Sequence, residues 1–319
     1  MKAANSQPPA FAWEDWYAGV GHDRERIPEI DDYFNDMYQT YVPRFFGDVA
    51  KTQTQFVSPE EATRVLKDKA TELGADLVGI CELEITDLYQ GREVNEQFAI
   101  AIGQKMLWRN FQTVPSKESA LEQIRVYHGL TKLCAELAEF IRSLGYTCTV
   151  GHPVGDSDLL HVPIALKAGF GELGRHGSII NPTFGPLFRL GSIATSIPMT
   201  IDQPIDAGIA AFCDICKACR KFCPADAVPD KRDTNSGKDH LGNDRYRIDT
   251  GKCFPYFAKN NYCAICLPVC VYNHKDWARD FEGFQTKLFP DVIMNKPPAP
   301  YDDLPETRRH VYPKKNRAK

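Results

Sequence analysis

No stretch of this sequence stays apolar for anything near the roughly 20 residues a helix needs to cross a bilayer, so no membrane span is expected. Basic residues are not in excess: 38 Lys and Arg stand against 42 Asp and Glu, a net charge of −4. Without a basic stripe to release counterions, no nucleic-acid partner is expected. Residues 1–17 lack a basic start followed by an apolar core. No signal peptide is read there, and the protein is expected to be cytoplasmic, with its thiols reduced. Internal repeats are missing, and so is G-x-G-x-x-G after a strand, which removes the nicotinamide-binding fingerprint. What remains is ordinary globular composition, 43% hydrophobic and 25% charged, in 319 residues, long enough for two domains.

Cysteine is the exception. Eight of the eleven lie within 58 residues, as Cys213-x2-Cys216-x2-Cys219-x3-Cys223-Pro224 and Cys253-x9-Cys263-x2-Cys266-x3-Cys270. A [4Fe–4S] cubane takes one thiolate per iron, and a C-x2-C-x2-C loop supplies three from one turn of backbone. In two-cluster ferredoxins the cysteine before proline ligates the other cluster. Crossing the runs in that way groups Cys213, Cys216, Cys219 and Cys270 at one cluster and Cys223, Cys253, Cys263 and Cys266 at the other. Zinc sites built from two C-x2-C pairs have no use for the third cysteine of the first run. Disulfides belong to oxidising compartments and small secreted domains. Cys81, Cys134 and Cys148 sit in apolar runs and read as buried small hydrophobes.

Helices and strands alternate ahead of the cysteines, predicting an α+β (or α/β) domain over residues 58–206. Residues 1–57 read as an irregular arm, 207–275 as an iron–sulfur module and 276–319 as a C-terminal tail, Pro-rich over 290–313. Ser58, Pro59 and Glu61 mark a helix start with a capping box. Residues 76–81 and 98–102 read as buried strands. Apolar residues at steps of three and four predict a helix from about 119 to 144. Residues 146–150 read as another strand, and a further helix ends at Ala168-Gly169. Ile179-Ile180, a turn and residues 187–195 suggest a hairpin. Between them runs Gly169-Phe170-Gly171-Glu172-Leu173-Gly174-Arg175-His176-Gly177. Its four glycines suit either close approach of a large flat ligand to the backbone or a convoluted structural loop.

Leu144-Gly145-Tyr146, the segment Ala168–Gly177, Gly185-Pro186-Leu187-Phe188-Arg189-Leu190 and both cysteine runs resemble the corrinoid-dependent reductive dehalogenases, in order and approximate spacing. The related epoxyqueuosine reductases share the cysteine scheme. They read G-W-x-G-K where this chain has Gly171-Glu172-Leu173-Gly174-Arg175, and their gap after the fifth cysteine is longer. The resemblance therefore favours the dehalogenase branch. It departs at Val271, where the family usually has proline.

The resemblance implies a nitroreductase-like domain holding a base-off cobalamin beside a ferredoxin-like module with two [4Fe–4S] clusters. The implied activity is an oxidoreductase that replaces halogen by hydrogen on a small organohalide. A separate electron donor (ferredoxin, flavodoxin or a reductase) is implied too. No D-x-H-x-x-G motif offers a histidine as lower axial ligand, which agrees. Tyr127 matches the family's proton donor and Arg189 its basic assistant. A phenol is a sluggish acid at neutral pH, and a neighbouring guanidinium stabilises the phenolate. Gly169, Gly171, Gly174, Arg175, His176, Ser178, Asn181 and Phe184 are the expected corrinoid contacts. Asp156 and Asp158 read as helix caps and His128 as an exposed helix residue. The alternatives are an epoxyqueuosine-reductase-like enzyme, a two-cluster electron carrier without corrinoid, and a relative that reduces another bond.

Overall fold

The structure, a computed structural model, describes residues 25–273 apart from 156 and 184. The Pro-rich tail, Asp156 and Phe184 lie outside the described residues. The chain begins with α1 (Pro28–Asp36), which runs on through a π-helical turn (Met37–Tyr41) and a 3-10 turn (Val42–Phe45). This corrects the expectation of an irregular arm over that stretch. Pro28 stands in the first turn with Glu29 and Asp31, a favourable helix start. Ile27, Ile30 and Met37 then pack on Ala120 and Ile124. The helix is short and leans on a partner far away in sequence, so no long periodic run announces it.

Next come α2 (Pro59–Glu72), β1 (Leu77–Glu82), β2 (Phe98–Lys105) and the long α3 (Lys117–Ser143). Ser58 accepts from the Glu61 N–H, while the Glu61 carboxylate takes the Val57 N–H at 2.7 Å, one residue earlier than a standard capping box. Ser116 and Ser119 cap α3 reciprocally. After β3 (Cys148–Gly151) and α4 (His161–Lys167), a two-stranded ribbon pairs β4 (Glu172–Leu173) with β5 (Ile179–Ile180). The expected hairpin of 179–195 does not form. Instead β6 (Phe188–Thr195) enters the centre of an antiparallel sheet of order β1-β2-β6-β3.

Side chains alternate across that sheet. Ile80, Ile100, Ile102 and Ile193 face Leu66 of α2 and Leu130, Leu133, Leu137 and Ile141 of α3. Cys81, Ala99, Ala101 and Ala194 face Ile164, Ala165 and Leu166 of α4. Covering both faces explains why β1 and β2 read as continuous apolar runs. Beyond the sheet lie α5 (Ile209–Cys216), α6 (Ala218–Phe222), the ribbon β7 (Asp233–Lys238) with β8 (Asp244–Arg245), and α7 (Thr250–Lys259). The core under α3 continues into this region through Ala227, Val228, Ile265 and Leu267, so the cysteine loops share it.

Candidate functional site

The first cysteine run is bent by one residue. Lys217, with φ of 51°, ends α5 and starts α6 in the left-handed region. Cys213 and Cys216 therefore lie on one short helix and Cys219 on the next. Cys270 returns from the second run, and these four thiols line one small cavity with Ile180, Phe212, Val271 and Tyr272. Burial pushes the Cys213 and Cys219 thiols up to about 12, with neighbouring thiols adding to the shift. Burial and the charges of Cys213, Cys216 and Cys219 drive Cys270 well above its ordinary value.

The other four gather next to it. Cys253 rides on α7, and Asn261 and Tyr262 turn left-handed (φ 46° and 52°) to present Cys263. Burial raises Cys266 well above the usual thiol value, and the charges of Cys263, Cys219, Cys253 and Cys223 act in the same direction. Its coupling to Cys219 shows that the two sets adjoin. None of the eleven cysteines forms a disulfide. Among the described residues no three His, Cys, Asp or Glu side chains converge to hold a single metal ion. The thiols of the first set stand around a space instead.

The glycine-rich segment wraps the first set. Gly171, with φ of 150°, lies against β5 so closely that a Cβ would come 2.1 Å from the Ile180 carbonyl oxygen. The fully buried Glu172 carboxylate accepts the N–H groups of Ala207 (2.6 Å), Ile209 (3.1 Å) and Ala210 (2.8 Å), capping the helix that carries Cys213 and Cys216. This supplies the acceptor that Gly208, at the N-cap, lacks.

Arg175 is 1% exposed, and its guanidinium donates to the carbonyls of Cys213, Asp214, Pro229 and Asp230 and to the Tyr246 hydroxyl. That corrects its expected role: an arginine has five N–H donors, and these are spent inside the fold. Asn181 is likewise turned inward, donating to Phe170 O at 2.7 Å and accepting the Thr183 N–H at 2.8 Å. Ser178 closes a turn, with its carbonyl accepting the Gly174 N–H and its own N–H donating to His176 Nδ1. His176 lines the cysteine cavity. Burial holds its imidazole down at about 4, so it is neutral. Gly169 abuts Gln203, where a Cβ would meet the carbonyl oxygen at 2.7 Å.

Tyr127 of α3 and Arg189 of β6 do meet. The Arg189 guanidinium carbon lies 5.1 Å from the centre of the Tyr127 ring, over its face. Arg189 also donates from Nη2 to Gln123 Oε1, while its buried Nε has no partner. Gln123 is 5% exposed and donates from Nε2 to the carbonyls of Ser119 (3.2 Å) and Tyr262 (3.0 Å). Tyr262 immediately precedes Cys263, so this one amide ties the Tyr127–Arg189 pair to the second cysteine set. Gln123 was not among the expected site residues, although it lies one helical turn before Tyr127.

His128 is not an exposed helix residue: it pairs with Asp36 at 2.5 Å, and its ring packs edge-on against Tyr33 and Tyr41. Asp158 caps no helix but pairs with Arg92 at 3.3 Å. A separate open cavity of about 480 Å³ lies beside Gly174 and Gly177, with Asn235, Arg245 and Arg247 on its wall. Neither Tyr127 nor Arg189 lines it. Cys81 and Cys134 are buried in the two halves of the core, and burial pushes both thiols to about 12.

No family model matches the sequence. A tetrachloroethene reductive dehalogenase from Desulfitobacterium hafniense is 27% identical over 292 aligned residues, covering 74% of this chain and 52% of that protein. An epoxyqueuosine reductase from Escherichia coli is 30% identical over 133 residues, 41% of this chain and 30% of its own. Among solved structures, a catabolic reductive dehalogenase superposes with a TM-score of 0.70 at 23% identity, covering 82% of this chain and 39% of that one. This chain thus spans about half the length of the dehalogenase from Desulfitobacterium hafniense and less of the solved one. The longer match is the dehalogenase one, and among the described residues no helix is long and apolar enough to cross a membrane. In sequence and in its mixed helix-and-sheet fold, this chain resembles the reductive dehalogenases.

Proposed function

We propose that this chain carries the electron-relay and proton-donating parts of a reductive dehalogenase acting on a small organohalide. The reaction is R–X + 2 e⁻ + H⁺ → R–H + X⁻. The observation that carries the reading is the convergence of Cys213, Cys216, Cys219 and Cys270 on one apolar cavity, with Cys223, Cys253, Cys263 and Cys266 gathered beside it. The donor sets fit two [4Fe–4S] clusters. Buried thiols that oppose one another's ionisation lose their protons only to cationic metal, so cluster binding and deprotonation are coupled. When bound, clusters of this kind pass electrons singly, at potentials set by burial and by hydrogen bonds to sulfur.

Tyr127 Oη is the atom that gives up the proton to carbon. Arg189, positively charged over the ring face, opposes loss of negative charge from the phenolate that is left. Gln123 holds Arg189 in place through its buried amide. Together they orient one acid.

The corrinoid is implied by resemblance, and three of the four described polar side chains named for it are engaged elsewhere. Arg175 and Asn181 are consumed inside the fold and His176 stands at the cysteine cavity. No step is therefore drawn through it. A nitroreductase-like ancestry of the sheet, a cytoplasmic setting and a separate electron donor belong to the same proposal.

The test is halide release by anaerobically reconstituted protein given a chemical reductant and a panel of chlorinated and brominated organics. Wild type is expected to release halide. Tyr127→Phe is expected to lose at least about 100-fold in turnover while keeping its iron and sulfide. Unchanged turnover in that variant would remove Tyr127 from the reaction.

A further inference from the structure

A buried ring nitrogen stands unused at the first cysteine set. His176 is 7% exposed, lines the cavity shared with Cys213, Cys216, Cys219 and Cys270, and its buried Nε2 has no hydrogen-bond partner. Nδ1 accepts the Ser178 N–H at 3.2 Å. A neutral imidazole carries one proton, and a nitrogen that accepts is not the one that bears it. The tautomer assigned from that bond therefore places the proton on Nε2. A donor thus stands at a small space walled by the four thiols, by Ile180, Phe212 and Val271, and by Arg175, Lys217 and Tyr272.

The surrounding sequence is arranged for this ring. A Cβ at Gly174 would lie 3.0 Å from His176 Cε1 and 2.6 Å from Ile180 Cδ1, so a glycine there leaves the ring its room. An apolar ring would leave no donor unmet, so packing alone does not call for histidine.

We propose that His176 Nε2–H donates a hydrogen bond to a sulfur of the cluster held by Cys213, Cys216, Cys219 and Cys270, and so raises its reduction potential. The inference rests on the proposed function in requiring that a cluster bind there. Reduction adds one electron, and that charge spreads onto the sulfurs. A fixed N–H stabilises the more negative state more than the less negative one. His176 is therefore a potential-setting residue and not a ligand: four thiolates already match four irons. Arg175 adds a positive field of the same sign, but its N–H groups are bonded to carbonyls and to Tyr246, so the ring N–H of His176 and not the guanidinium is the donor proposed here.

The experiment is an EPR-monitored redox titration of reconstituted wild type, His176→Phe and His176→Gln, with iron and sulfide measured on each sample. His176→Phe is expected to lower the midpoint of one cluster by about a tenfold change in its reduction equilibrium, 59 mV for a one-electron couple. The other cluster should not move. His176→Gln, which keeps an N–H, should fall between. Full iron content with unshifted midpoints in His176→Phe overturns the inference and leaves the cluster reading standing. Absence of iron from wild type overturns the cluster reading itself. Should the variants fail to load, wild type grown on 15N-histidine decides the matter. A weak histidine nitrogen coupling to the reduced cluster supports the bond, and its absence refutes it.

Discussion

The Cys213–Cys270 set and the Cys223–Cys266 set each offer four thiols, but their surroundings differ. The first is clasped from outside its own sequence: Glu172 caps its helix, Arg175 binds its carbonyls and His176 lines its cavity. Of its thiols only Cys216 is more than slightly exposed, whereas three of the second set are half-buried. The second is held by a helix with an exposed cap and by two left-handed residues, and its neighbour is Gln123. Charge differs as well. Arg175 acts on Cys213, Cys216 and Cys219, whereas Asp249 acts on Cys253. A buried cation favours the more negative, reduced state, so the first cluster is expected at the higher potential of the two.

The comparison breaks most completely at Arg175. Arg175→Met removes the donors to four backbone carbonyls, that of Cys213 buried and the others partly so. It is expected to cost about 3 kcal/mol or more and to empty the first site while the second keeps its iron. Thermal unfolding and iron content read both effects. Loss of both clusters together would show that the sets are not separately supported.

Cysteine replacement sharpens the grouping. Cys270→Ser should disturb the same EPR signal as Cys213→Ser, and Cys223→Ser the same signal as Cys253→Ser. If Cys270→Ser instead matched Cys263→Ser, each run would ligate its own cluster and the crossing would be wrong.

Two caps allow a milder contrast. Glu172→Ala leaves three N–H groups unmet, two of them buried, and is expected to cost about 1–3 kcal/mol or more. Asp249→Ala removes a single exposed cap on α7 and should cost about 1 kcal/mol or less. Equal losses by denaturant titration would erase the distinction between a clasped and an open set.

The smallest effect is expected away from both sets. His152, packed against Tyr38 and Phe45, is held by burial at about 4, below its ordinary value near 6.5. Below pH 6.5 the unfolded chain takes up a proton that the folded chain refuses. Its contribution is therefore whole above that pH and declines as pH falls towards about 4. His152→Gln should flatten the acid limb of the stability curve, and an unchanged limb would assign it elsewhere.

Several features were legible from residue order because they are local. The apolar stripe of α3, the Ser58-Pro59 start of α2 and the continuous runs of β1 and β2 need only neighbours within a few residues. The cysteine grouping follows from ligand count and spacing, and the replacements above are its test. Three features were not legible. The helix at Pro28–Asp36 is stabilised by Ala120 and Ile124, some 90 residues on. The partner of β5 is β4 and not β6, a choice made in space. Arg175 and His176 look like ligand-facing residues in a glycine-rich loop, yet they turn, with Glu172, towards a helix some 30–40 residues away. Composition of a loop does not say which side its polar groups face.

The most direct measurement is iron and acid-labile sulfide in anaerobically reconstituted protein, with the EPR spectrum of its reduced form. About eight irons and eight sulfides per chain are expected, with two interacting spins. Zinc in their place, or four irons and a single isolated spin, would contradict the pairing of these eight thiols into two clusters.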